Sequence, residues 1–323
     1  MALLNTTKSA LFLKSGAVLP VAPANFIENT VPIMITPEIA VTDYNRISGK
    51  LNTSDSYADT CNSQVNFAVE HLMRSNDIGA TTLDAVPEYG ELLKICGFDE
   101  TISAGVSVGY INTQVPVLGS AVVVLDGNQF EMTGSMASDM TLDLTIGSPA
   151  KLSCSLQGYI DDAVPTVVTQ PDPTLSDEPL MVVSCANLVT LGGTVLKPDS
   201  VKFMTNPEIA DFYTMGGTDG LKSKAMTDYG LTCEISFFID NADYAREVTA
   251  IKNQTYATLE VLVATDDASA LVNGKSMKIT CGLVKTTTYT DTDQDNVGKR
   301  TVTYRVSNDS NDHALSILVG TFA

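Results

Sequence analysis

Few residues in this chain could carry covalent chemistry. Its two histidines, His71 and His313, lie far apart and in no zinc-binding or catalytic spacing, so each reads as a surface or packing residue. Serines are plentiful, but none sits in the G-x-S-x-G elbow that lifts a nucleophile to the top of a sheet. Gly216-Gly217 in YTMGGTDGLK has neither the Lys-Ser or Lys-Thr ending of a phosphate-binding loop nor G-x-G-x-x-G spacing, and reads as a flexible loop. In DTDQDNVGKR, Asp291, Asp293 and Asp295 alternate like the opening of a calcium loop. Such a loop needs glycine at its sixth position and a bidentate glutamate at its twelfth, where this chain has Asn296 and Val302. Between the threonine-rich runs TTTYT and TVTYRV the segment reads instead as an acidic hairpin tip. No carboxylate pair is singled out for acid-base work. The chain therefore reads as a non-enzyme, with no catalytic, cofactor-binding or metal-binding residues.

The six cysteines point the same way. They are scattered without a C-x-x-C pair, and Cys154 in KLSCSLQ and Cys281 in MKITCGL fall at apolar positions of alternating stretches, where a free thiol packs as a small hydrophobe. Reduced core residues in a cytoplasmically assembled protein are expected. Residues 1–16 lack a long apolar core, so no leader is expected, and the longest aliphatic run, AVVVL at 121–125, is too short to span a bilayer. A net charge of −19 with no basic run argues against a surface that grips a phosphate backbone.

The elements that would position any site are mostly strands. MTLDLTI and KLSCSLQ alternate with period two on either side of Gly147-Ser148-Pro149, a hairpin pattern. Asp126-Gly127 and Asn273-Gly274 each separate apolar runs and supply the positive φ angles of tight hairpin turns. One helix is expected in DAVPEYGELLKICGF, with Tyr89, Leu92, Leu93 and Cys96 on one face, Pro87, Glu88 and Glu91 in its first turn and Gly97 at its end. A second is expected in NADYAREVTAIKN, capped at Asp240 or Asn241, with Tyr244, Val248 and Ile251 along one stripe.

The chain also says one thing twice. VPIMITPEIA at 31–40 returns as VKFMTNPEIA at 201–210, an offset of 170 residues from Pro37 to Pro207. At the same offset QVNFAVE at 64–70 meets EISFFID at 234–240, and a helix follows each strand. Coincidence is the plainer reading of four identical residues, but the shared order of loop, strand, helix and hairpins favours a decayed internal repeat. The proline-rich VPTVVTQPDPTLSDEPL at 164–180 blocks helix and inner strand alike, so it reads as an extended linker with a boundary near Pro171. A chain of 323 residues has room for two domains, 1–170 and 171–323. The expected fold is mainly β with short helices.

Three stretches of the chain resemble two-domain tail tube proteins of long-tailed bacteriophages. The first runs from VPIMITPEIAVTDYNRISGKL through QVNFAVEHL to PEYGELLKICGFDETI, the second is VLDGNQFEMTGSMASDMTLDLTIGSPAKLSCSLQGYI, and the third is GTVLKPDSVKFMTNPEIADF. The resemblance implies two tandem tail-tube-type domains, each a β-sandwich with a helix, whose inner sheets join edge to edge into a barrel. It implies homotrimeric rings of pseudo-six-fold symmetry, stacked into a virion tail tube that is assembled in the host bacterial cytoplasm. Its partners would be tail-tip or baseplate, tape-measure and tail-terminator proteins, with double-stranded DNA as passing cargo, no membrane insertion and no cofactor. An acidic lumen would let DNA slide. For ring stacking we expect the two long loops 41–59 and 211–229, with Tyr44, Arg46, Tyr57, Phe212, Lys222 and Lys224 as contacts. The alternative is a β-sandwich adhesin or capsid-associated binding protein. It would stay monomeric or form one closed oligomer.

Overall fold

Alternation builds the strands. In KLSCSLQ the side chains of Leu152, Cys154 and Leu156 are buried while those between them are only half-covered, the signature of a strand with one face on a core. The computed structural model describes residues 9–20, 25–45, 54–74, 86–103, 106–113, 117–160, 166–173, 180–184, 188–213, 221–239, 246–263, 276–294, 297–308 and 313–320.

In chain order the first elements are β1 (Ser9–Ser15), β2 (Phe26–Ile27), β3 (Thr36–Asn45), β4 (Ser54–Leu72) and α1 (Gly90–Ile95). They are followed by β5 (Phe98–Ser103), β6 (Ser107–Asn112), β7 (Gly119–Leu125), β8 (Asn128–Thr145), β9 (Lys151–Ile160) and β10 (Thr166–Val167). The second half opens with β11 (Leu188–Leu191), β12 (Thr194–Leu196), β13 (Pro198–Thr205), β14 (Glu208–Tyr213), β15 (Leu221–Asp228) and β16 (Thr232–Phe238). It continues with α2 (Arg246–Asn253), β17 (Tyr256–Val263), β18 (Ser276–Gln294), β19 (Val297–Ser307) and β20 (Leu315–Gly320). The protein is mainly β with two short helices among the described residues.

The longest run of paired strands is β18-β19-β16-β13-β8-β9-β4-β3, antiparallel throughout. A second run, β2-β1-β7-β8-β10, and a third, β12-β11-β17-β18-β20-β6-β5, branch from it. The two long strands make the branching possible. The start of β8 pairs with β7 and its end with β13, while the start of β18 pairs with β17 and β20. One buried cluster fills the space between the runs, drawing Leu13 and Val123 from β1 and β7, Leu142 and Phe203 from the main run, and Ile279 and Ile317 from the third.

Local signals explain the joints. Asp126 and Gly127 take φ of 47° and 81° at the β7–β8 turn, the paired positive values that a two-residue hairpin demands. Gly97, at φ 90°, ends α1 as the sequence implies, and Leu92, Leu93, Ile95 and the flanking Tyr89 and Cys96 are all buried. The second helix departs from its expected apolar stripe: within α2 the buried residue is Glu247, and Val248 and Ile251 are only half-covered. Its expected caps and Tyr244 lie outside the described residues, as does Asn273-Gly274.

The expected loops at 41–59 and 211–229 are corrected outright. Where described, both are β-hairpins: β3 pairs with the first part of β4, and β14 with β15. Alternating Thr, Tyr, Val and Ala residues, which read as loop by polarity, suit a two-stranded ladder. The linker is also less bare than its prolines suggest. Thr166 and Val167 pair with the start of β8, and Met181 is held between Met73 and Ala150 by backbone hydrogen bonds of 2.9 and 2.7 Å.

Candidate assembly interface

Five of the six residues expected to make inter-ring contacts fall on the two hairpins. Tyr44 stands opposite Asp55 and Tyr57 opposite Thr42 in the β3–β4 arm. Phe212 stands opposite Ser223 and Lys224 opposite Asp211 in the β14–β15 arm, where Lys222 also lies, and Arg46 lies outside the described residues. The β14–β15 pair forms its own two-stranded sheet, whereas the β3–β4 arm is continuous with the main run.

The pairings of the two halves run in parallel. A first strand pairs with a strand that follows the helix, β1 with β7, which comes after α1 and the β5–β6 hairpin, and β11 with β17, which comes directly after α2. That strand pairs with a long one, β8 or β18, which folds back on β9 or β19. The return strand then pairs with the strand before the helix, β4 or β16. A short last strand, β10 or β20, closes on the start of the long one. The hairpin β5–β6 has no counterpart among the described residues.

Between the halves the ladder is uninterrupted. β13 pairs with β8 from Ser200 opposite Thr145 to Thr205 opposite Met140, and Lys202 Nζ lies 3.1 Å from Asp143 across it. At the two ends of the main run the edges are open among the described residues. The ladder of β17 on β18 stops at Lys285, and from Thr288 to Thr292 β18 has β19 on one side and no strand on the other among the described residues. At the far end, residues 31–35 connect Thr30, whose N–H donates to the Glu70 carbonyl of β4 at 2.8 Å, to Thr36, which pairs with Asn66 of β4, and they form no ladder of their own among the described residues. Exposed edges of this kind template pairing with another chain.

Among the described side chains, the charges on the solvent face of the main run are nearly balanced. Glu70, Asp139, Asp143 and Glu234 alternate with the buried side chains, and so do Lys151, Lys202, Lys299 and Arg305. Lys151 lies 3.2 Å from Glu70, Lys202 pairs with Asp143, and Lys299 pairs with Asp199. Serine and threonine fill most of the remainder. Among its described side chains this face therefore presents hydroxyl groups, with its lysines held by carboxylates.

His71 is fully buried, its Nδ1 2.8 Å from the Glu28 carbonyl oxygen and its ring 5.9 Å from that of Tyr89, so it is a packing residue. Burial alone pushes the Tyr89 hydroxyl above the usual tyrosine range. An apolar groove of about 540 Å³ opens beside the β8–β13 joint, lined by Leu144, Val195, Val201, Phe238, Val261 and Val263. Cys96, Cys154, Cys233 and Cys281 are free thiols in the core. Among the described residues no group of three or more His, Cys, Asp or Glu is placed to hold a metal, and no helix is long and apolar enough to cross a membrane. No family model matches the chain, and no curated protein matches it.

Proposed function

We propose that this chain is a tandem duplication of one tail-tube-type β domain, and that it polymerises into stacked rings forming a conduit for DNA in a bacteriophage tail. The observation that carries the reading is the β8–β13 ladder, which joins two halves of parallel topology into one sheet and leaves an open edge at each end. A sheet with this design continues when another copy adds to it. Such a head-to-tail contact makes a ring when its rotation closes. Three chains then supply six similar wedges, the arrangement that the sequence resemblance implies.

The neutral, hydroxyl-rich face of the main run would line the conduit. Passing DNA needs a wall that offers no unpaired cation, because each lysine-phosphate contact releases counterions and holds the duplex. Ion-paired lysines meet that need as well as an acidic wall does. The chain has no enzymatic part in this reading.

The test is negative-stain electron microscopy with mass measurement on the purified chain at rising concentration. Hollow tubes of regular axial repeat, with rings of three chains, support the reading. A chain that stays monomeric, or stops at one closed oligomer even with its tail-tip partners present, moves the reading to an adhesin or capsid-associated binder.

A further inference from the structure

The joint inside the chain is a template for the joint between chains. From it we infer that residues Pro32–Ile35 of one copy pair with Tyr289–Thr292 of the next, Met34 standing opposite Thr290. This rests on the ring-forming reading above and names the surfaces that would close the ring.

The register comes from superposing the halves strand by strand. VPIMI at 31–35 is the counterpart of VKFMT at 201–205, which forms most of β13. Both segments have their second apolar residue sunk in the core: Ile33 is 1 % and Phe203 0 % exposed. The long hairpins align from their tips. Met140 and Leu142 of β8 face Cys154 and Leu152, as Tyr289 and Asp291 of β18 face Val302 and Arg300, and all four return-strand residues are buried. Within the chain Thr205 faces Met140, Met204 faces Thr141 and Phe203 faces Leu142. Carried across, Ile35 faces Tyr289, Met34 faces Thr290 and Ile33 faces Asp291.

Burial shows what the open ends lack. Met140 is fully buried beneath the β8–β13 joint, whereas Tyr289 in the matching place is 37 % exposed, and Met34 is 61 % exposed at the other edge. Pairing the edges would cover both apolar groups. Pro32 stands where β13 has Lys202 and removes one donor, a substitution tolerated at edges and not in central ladders.

Cysteine cross-linking on the full chain tests the register. Met34→Cys and Thr290→Cys are introduced together, and the in-chain pair Met204→Cys with Thr141→Cys serves as the control for oxidising conditions. Residues 34 and 290 sit at opposite ends of the main sheet, seven strand spacings or roughly 34 Å apart, so one chain cannot bridge them. Loss of the monomer band to dimers and trimers on non-reducing gels, absent from either single variant, is the expected result. If the parent chain forms rings and the control pair closes but the 34–290 pair does not link, the joint is wrong while the ring reading stands. If the parent forms no oligomer at any concentration and no link appears, both fall.

Discussion

Arg300 and Glu247 are each 1 % exposed and meet at 3.5 Å, a buried charge pair that ties α2 to the return strand β19. The same guanidinium donates to both oxygens of Asp291, at 2.6 and 2.8 Å, and lies 4.5 Å from the centre of the Tyr289 ring. In the β8–β9 hairpin the corresponding place belongs to Leu152. Removing Arg300 would leave the buried Glu247 with Arg246 as its cation and Asp291 without its guanidinium, so Arg300→Ala is expected to cost about 3 kcal/mol. Replacing both ends, Arg300→Met with Glu247→Leu, is expected to recover most of that loss. Urea unfolding midpoints at unchanged slope measure both, and a double variant no more stable than the single one would contradict the account.

Carboxylates held below their usual range set the acid limit, Asp291 and Glu70 among them. The hydrogen bonds from Arg300 hold Asp291 below the usual carboxylate range, and a hydrogen bond from the Thr30 hydroxyl, helped by Lys151, does the same for Glu70. A folded-state value below the unfolded one stabilises above the unfolded pKa, about 4, and that contribution fades as pH falls through the lowered folded value. Thermal stability is expected to be flat from about pH 7 to 5 and to drop below about pH 4. Thr30→Ala should make the drop shallower. An unchanged profile would show that Glu70 takes no part.

Strand content, the β8–β9 hairpin and the Asp126-Gly127 turn were legible because period two and positive φ leave local marks. The α1 helix was legible through Leu92, Leu93 and the terminating Gly97. The two hairpin arms were not: their Thr, Ser and Asp residues form no continuous apolar alternation in the sequence, so nothing in their pattern separates ladder from loop. Glu247 was missed because an acid on a helix looks solvated until its partner, Arg300, is placed by a strand 53 residues later. The balanced charge of the main sheet was invisible too. Net charge sums over the chain, and Glu70 and Lys151 become neighbours only through the β4–β9 register.

Gly119 fixes how closely β7 approaches α1. A Cβ there would lie 2.3 Å from Ile95 Cδ1, and Ile95 is fully buried with nowhere to turn. Gly119→Ala is therefore expected to destabilise by about 1–3 kcal/mol through overpacking. Shortening the opposing side chain with Ile95→Val should relieve part of the cost. A double-mutant cycle read by thermal unfolding checks this, and strict additivity would mean the two do not meet as described.

The paired lysines of the main sheet predict how the surface treats DNA. With Lys151, Lys202 and Lys299 held by carboxylates, the parent should not retard a double-stranded fragment in a gel at about 50 mM salt. Replacing Glu70→Gln and Asp143→Asn together releases two cations on one face. Salt-sensitive retardation by that variant alone is expected. Equal binding by both proteins would show that the ion pairs do not mask this surface.

The β3–β4 arm offers the sharpest separation of folding from assembly. Its outer ladder, from Ala40 opposite Asp59 to Asn45 opposite Ser54, contributes no pairing to the rest of the main sheet. The part of β4 from Gln64 to Leu72 is held independently by β9. Replacing residues 41–59 with a short Gly-Ser turn should therefore leave the circular dichroism spectrum and the unfolding midpoint nearly unchanged. If the arm reaches the neighbouring ring, the shortened chain should still close rings yet stack into no tubes, because edge pairing and stacking use different surfaces. Tubes of normal length from the shortened chain would remove the arm, and with it Tyr44 and Tyr57, from the stacking contact.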